Sequence, residues 1–262
     1  MLKKGVIKGI AIAAFCLSVF PMIVTVFGSF MSDREMMGGA HILPLDFTLR
    51  QYETVLLQTP QYLLWFWNSV EIACLTVALA VVISLMAGYA FSKFRFPARD
   101  ALFFVYIVVM LMPFQATLVP QYIMLKSLNL LNTKASVILP GACSAFGAFM
   151  MAQYMKGIGD DIMEAAKLDG MNAFSIFIWI IIPLSKPAIS ALVILLFIES
   201  WAMIEQPMTF ISDITLHPLS LHLGDSSSAL YAGGVVFLIL PLLIYLFGHD
   251  DLIDEIGYIS IK

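Results

Sequence analysis

The charged residues of this chain are confined to short stretches, and the runs between them are long enough to cross a lipid bilayer. Gly9–Ser32, Ile72–Ser92, Ala101–Leu125, Ala135–Met155 and Ser226–Gly248 contain no Asp, Glu, Lys or Arg. A hydrocarbon core about 30 Å thick needs roughly 20 apolar residues of helix, so each run is a candidate span. A sixth stretch, Pro187–Gln206, has the length but holds Glu199 and Glu205. A charge at mid-bilayer costs about 2.5–3.5 kcal/mol on insertion scales. This span therefore ends near Glu199, or its outer half faces a wet cavity. The pattern predicts an all-α, polytopic membrane protein of about six spans, near 9–32, 68–92, 101–125, 135–155, 187–206 and 226–248. Together they form a single transmembrane domain over 1–262.

The 262 residues are 61% hydrophobic and 12% charged, which leaves no room for a separate soluble domain. Net charge is −4 and the 14 Lys and Arg are scattered, so a nucleic-acid partner is not expected. Cys16, Cys74 and Cys143 each lie in an apolar run without metal-ligand spacing, and read as small buried hydrophobes. Lys3, Lys4 and Lys8 precede the first run as they would in a secretory signal. That run is about twice the usual apolar core of a signal and shows no small-residue cleavage site before Asp33, so it reads as the first span.

Lys and Arg stay preferentially on the cytoplasmic side. An N-terminus inside puts Lys3, Lys4, Lys8, Lys93, Arg95, Arg99, Lys156, Lys167, Lys186 and Lys262 in the cytoplasm, and only Arg34, Arg50, Lys126 and Lys134 outside. Both termini are then cytoplasmic. The longest inner connection, 156–186, carries its own helix signals. Asp160 or Asp161 is placed to cap a short helix, Glu164 stands three residues after Asp161 as in a capping box, and Gly170 suits the left-handed end of such a helix. Asn172 is placed to cap a second helix running to Pro183. Pro21, Pro113, Pro120 and Pro241 fall inside spans, where each removes a backbone donor and bends the helix, for packing or to let helices part around a path.

The segment Glu164-Ala165-Ala166-Lys167-Leu168-Asp169-Gly170, followed by Ile182-Pro183-Leu184, resembles the EAA loop of membrane subunits of binding-protein-dependent ABC importers. Similarity extends through Asn68-Ser69-Val70, Ala87-Gly88-Tyr89-Ala90-Phe91-Ser92-Lys93, Met112-Pro113-Phe114-Gln115, Leu130-Leu131-Asn132-Thr133 and Phe146-Gly147-Ala148-Phe149-Met150. These stretches are similar to the smaller, six-span permease of maltose-type and glycerol-phosphate-type systems. The resemblance implies a type I ABC importer permease in a bacterial or archaeal cytoplasmic membrane, translocating a carbohydrate. It also implies a second permease, two copies of a cytoplasmic ABC ATPase that bind ATP and Mg, and an external sugar-binding protein. Asp161, Glu164, Ala165, Ala166, Leu168, Asp169, Gly170 and Pro183 would then form the ATPase-coupling loop, with the paired alanines a narrow surface for a partner groove. Two positions depart from the family: Trp201-Ala202 stands where Trp-Asn is usual, and the tail Asp250-Asp251-Leu252-Ile253-Asp254-Glu255 is acidic where the family is usually basic.

The chain has no G-x-x-x-x-G-K-[ST] phosphate loop, no H-E-x-x-H and no paired-Cys motif. His41, His217, His222 and His249 all fall away from mid-span. A transport subunit without its own ATPase site, enzymatic activity, cofactor or metal is expected. Glu71 and Glu205 are expected near the outer interface, and Glu199 deeper, lining a cavity or bonding another helix. Trp65 and Trp67 suit interfacial anchoring. Glu199, Trp201, Gln206 and Gln115 are the candidates for the substrate path. Two alternatives remain open from sequence: an ABC permease for a non-sugar solute, and a secondary transporter driven by an ion gradient.

Overall fold

A computed structural model describes residues 2–32, 34–35, 43–224 and 229–259. His41, Lys262 and the expected start of the sixth span at 226 lie outside the described residues, as do the side chains of Lys3, Lys4, His249 and the acidic tail. The main helices are α1 (Leu2–Gly28), α2 (Pro60–Lys93), α3 (Arg99–Leu111), α4 (Phe114–Ser127), α5 (Ala135–Ala142), α6 (Ala145–Lys156), α7 (Asp160–Leu168), α8 (Ala173–Leu184), α9 (Lys186–Trp201), α10 (Glu205–Phe210) and α11 (Leu230–Ile259). No strand forms among the described residues.

Four stretches are long and apolar enough to cross a membrane: Lys8–Gly28, Pro60–Lys93, Ala135–Lys156 and Leu230–Gly248. The number rises to six if each of two bent pairs is one span. The span expected at 101–125 is broken more sharply than a proline bend, because α3 and α4 meet at 106°. Pro113 carries no N–H and holds the residue before it out of the helical region. Met112 accordingly has ψ 135° and α4 starts afresh at Phe114. The other pair, α8 and α9, meets at 76°. Here α9 stops at Trp201, short of the expected 206, and Glu205–Phe210 forms a separate helix.

The chain forms two compact units, residues 1–66 with 221–240 and residues 67–220 with 241–262. In the first, the buried Gln51 amide donates to Gly28 O at 2.7 Å and Met31 O at 2.9 Å, satisfying carbonyls left open where α1 ends. Tyr62 donates to Gly233 O at 2.9 Å. Trp65, read as an interfacial anchor, stacks on His222 with ring centroids 3.7 Å apart.

The second unit is built on close contact between α2 and the α5–α6 stretch. Three glycines allow it: Gly88 lies against Met151, Gly141 against Thr76, and Gly147 against Ser84. Val137, Met151, Ala152, Met155, Ile181 and Leu192 are fully buried in this unit. At one end Asn68 donates to Thr215 O and His217 O, while Ser69 accepts from Leu219 N at 2.8 Å. Asn132, at φ 59°, accepts from Ser212 N and Asp213 N. Glu71 pairs with Lys134 at this end. The cysteines correct the sequence reading: Cys16, Cys74 and Cys143 are all exposed on the isolated chain. An apolar run that crosses lipid is apolar on every side, so its composition does not separate inward from outward positions.

Candidate functional site

Two features of the second unit carry functional side chains: the 156–186 segment and a cavity between α4, α6 and α9. In the segment, α7 begins after Gly159, not at a capping aspartate, and Gly159 makes no side-chain cap. The expected capping box is absent because Asp160 and Asp161 both lie inside the first turn, which leaves Ile162 and not Glu164 three residues after the cap position. The Lys93 side chain, only 2% exposed, reaches from the end of α2 and donates to Ile158 O and to Asp160 Oδ1, the latter at 2.8 Å. Tyr89, one turn earlier on α2, donates to Ala173 O at 3.1 Å and stacks on Phe177. The last turn of α2 thus holds the starts of both α7 and α8.

α7 ends as its glycine predicts. Gly170 has φ +85°, with Gly170 N donating to Lys167 O and Met171 N to Ala166 O, both at 3.0 Å. This is the Schellman arrangement, which closes the last carbonyls of a helix. Asn172 Oδ1 then accepts from Ser175 N at 2.8 Å and starts α8, which includes a π-turn at Phe177–Ile181 and runs past the exposed Pro183 to Leu184. The paired alanines divide between two faces. Ala166 is buried with Met163, whereas Asp161, Glu164, Ala165, Leu168 and Asp169 are exposed. The narrow two-alanine surface expected from sequence is therefore one outward alanine, because Met163 and Ala166, three residues apart, share the inward stripe. Leu168 is 89% exposed, an unusual state for a leucine on a helix outside any span.

The Asp160 carboxyl is held below the ordinary carboxylate range, first by the hydrogen bond from Lys93, then by that residue's charge, with Arg95 and Lys167 contributing. A depressed native value means that the contact stabilises the fold above the ordinary carboxylate range, and that its contribution is lost as pH falls through the depressed value. In Lys93→Met the Asp160 carboxyl should titrate close to its ordinary position. NMR of the labelled carboxyl would detect that upward movement. An unchanged titration would mean that Lys93 is not what holds the start of α7.

The cavity has a volume of about 330 Å³ and opens beside a second of about 400 Å³. Phe114, Glu199, Met203 and Gln206 line both. Gln206 is 6% exposed and its Oε1 is buried without a hydrogen-bond partner. Gln121 Oε1 is likewise unpartnered, while its Nε2 donates to Thr117 one turn earlier on α4. Ser144 and Ser200 add hydroxyls to the first cavity, and Glu205 adds a carboxylate to the second. Gln115 bonds Glu205 at 3.0 Å. Of the sequence candidates, Glu199 and Gln206 face the cavity, and Gln115 acts through Glu205. Trp201 does not line either cavity: it is 2% exposed and stacks on Phe197. Gln121 escaped the sequence reading, although polar side chains at Thr117 and Gln121, four apart in an apolar helix, mark one face.

The family model described as "binding-protein-dependent transport system inner membrane component" matches residues 80–250, which include α7, Gly170 and the whole cavity. The chain belongs to this family. As an inner membrane component of such a system it is a multi-pass membrane transport subunit. Over 249 residues the chain is 29% identical to the arabinooligosaccharides transport system permease protein AraQ of Halalkalibacterium halodurans, covering 91% of this chain and 89% of that one. It is also 29% identical to the lactose transport system permease protein LacG of Rhizobium radiobacter, covering 84% of this chain and 80% of that one. Among solved structures, a bacterial ABC transporter involved in the import of the acidic polysaccharide alginate superposes with TM-score 0.81. That match has 23% identity and covers 92% of this chain and 93% of that one, so the fold is that of an ABC importer permease.

Proposed function

We propose that this chain is the permease subunit through which an ATP-driven importer passes a carbohydrate across the cytoplasmic membrane by alternating access. Its termini and the 156–186 loop are cytoplasmic, following the Lys and Arg distribution. ATP and Mg are bound by two copies of a separate ABC ATPase. This chain contributes no phosphate loop and catalyses no covalent chemistry. A second permease completes the path, and an external binding protein delivers the sugar. The carbohydrate assignment is supported by the named cargoes of AraQ and LacG and by the hydroxyl- and amide-lined cavity.

The observation that carries the reading is the outward face of α7, where Leu168 and Ala165 stand bare beside Glu164 on a helix too short to span a membrane. Such a face suits a groove on another protein with a basic rim. A helix gripped there, held to α2 by Lys93 and followed by α8, which Tyr89 holds to α2, would pass closure of the ATPases to the bundle as rigid-body motion. The test is uptake of labelled arabinotriose and lactose by cells carrying the complete importer. ATP-dependent uptake of at least one sugar that disappears on deletion of this chain is expected. Uptake that survives ATP depletion would favour a gradient-driven transporter instead.

A further inference from the structure

The two adjoining cavities present hydrogen-bond acceptors. Gln206 Oε1 and Gln121 Oε1 are buried and unpartnered. Glu199 lines both cavities and makes no ion pair or hydrogen bond among the described residues. Glu205 is held at the second cavity by the Gln115 amide, which orients its carboxylate without neutralising it. Among the described residues no Lys, Arg or His lines either space. An unsatisfied buried carbonyl oxygen needs a donor. Sugar hydroxyls are donors, whereas ionised carboxylates, sulfates and phosphates can only accept.

We infer that this cavity accepts neutral saccharides and rejects anionic ones, with Glu199 as the residue that discriminates. The inference rests on the carbohydrate reading above and narrows it. A neutral sugar supplies hydroxyl donors to Gln206, Gln121 and Glu199. An acidic sugar brings like charge toward Glu199 and Glu205 with no cation among the described lining residues to offset it. The polyanionic cargo named for the alginate importer is thus the wrong kind for this cavity, although the two chains share a fold.

Binding is measured directly on the purified importer complex, without the external binding protein, so that the latter's own selectivity does not filter the result. Saturation-transfer NMR with arabinotriose and with trigalacturonate, three sugars each but differing in charge, compares wild type with Glu199→Gln. This exposed, near-isosteric change leaves packing intact. Wild type should bind the uronate about tenfold more weakly than the neutral sugar, and Glu199→Gln should shrink the gap to about threefold, with most of the change in uronate binding because the glutamine Oε1 still accepts from a sugar hydroxyl. Raising the salt concentration should narrow the wild-type gap in the same direction. Equal binding of both sugars by wild type, or a gap that Glu199→Gln leaves intact, overturns the inference. So does the absence of binding by either sugar. In all three cases ATP-dependent sugar uptake in cells would leave the transport assignment standing, and its loss would show that the assignment itself had failed.

Discussion

Gly170→Val leaves the permease in the membrane and lets ATP hydrolysis continue while uptake falls about tenfold, the rate consequence of roughly 1–2 kcal/mol of backbone strain at the hinge. Apart from its two chain neighbours, no atom of the described residues lies within 4 Å of where a Cβ would sit, so crowding is not the cause. The cause is φ +85°, a conformation that β-branched residues adopt only under strain. Valine there would open the two bonds from Gly170 N and Met171 N that close α7, and re-aim the chain where it turns into α8. On the proposed mechanism, α7 would still occupy its ATPase but would no longer carry α8 with it. Gly170→Asn should retain most uptake, because asparagine tolerates the left-handed region. Paired measurement of hydrolysis and uptake in proteoliposomes checks both variants. Full uptake in Gly170→Val would remove the hinge from the mechanism.

A larger effect, on folding itself, is expected from Gly88→Leu. A Cβ at Gly88 would sit 2.6 Å from Met151 Cβ and 2.9 Å from the Met151 carbonyl carbon. A flexible side chain can yield at such a contact, but α6 backbone cannot move without disturbing Met151 and Ala152, both fully buried. Overpacking of this kind costs about 3 kcal/mol, a large share of a marginal folding free energy. The variant should accumulate poorly and unfold at lower temperature in detergent. Gly9→Leu, where nothing lies within 4 Å, should behave as wild type.

The apolar runs made the helical class legible because bilayer thickness dictates run length, and Gly170 and Asn172 announced the ends of α7 and α8 through their own conformational preferences. What the runs could not reveal were breaks inside them. A proline in an apolar stretch predicts a bend, but the 106° turn at Met112-Pro113 depends on what each half packs against. Side-chain direction was equally hidden. Ala165 and Ala166 are chemically identical, and only the burial of Met163 decides which of them turns inward. Trp201 invited a sugar-stacking role by its type and its neighbours, yet it fills the core beside Phe197, while Gln121 and Gln206 bring the polar groups. Lys93 was legible as a positive charge at the end of a span. Its hold on Ile158 and Asp160 brings together residues more than sixty positions apart, which no local pattern records.

On the proposed mechanism, α7 is the contact through which a separate ATPase moves this permease. Leu168 is the most direct probe, being 89% exposed on α7 and far in sequence from Cys16, Cys74 and Cys143, which are replaced by serine in the test protein. With Leu168→Cys carrying a short photo-activated cross-linker in the assembled importer, illumination should join this chain to the ATPase in high yield, with a yield that changes when ATP binds. A probe at Leu168 that labels only lipid or solvent, in a complex that still imports its sugar, would contradict the account.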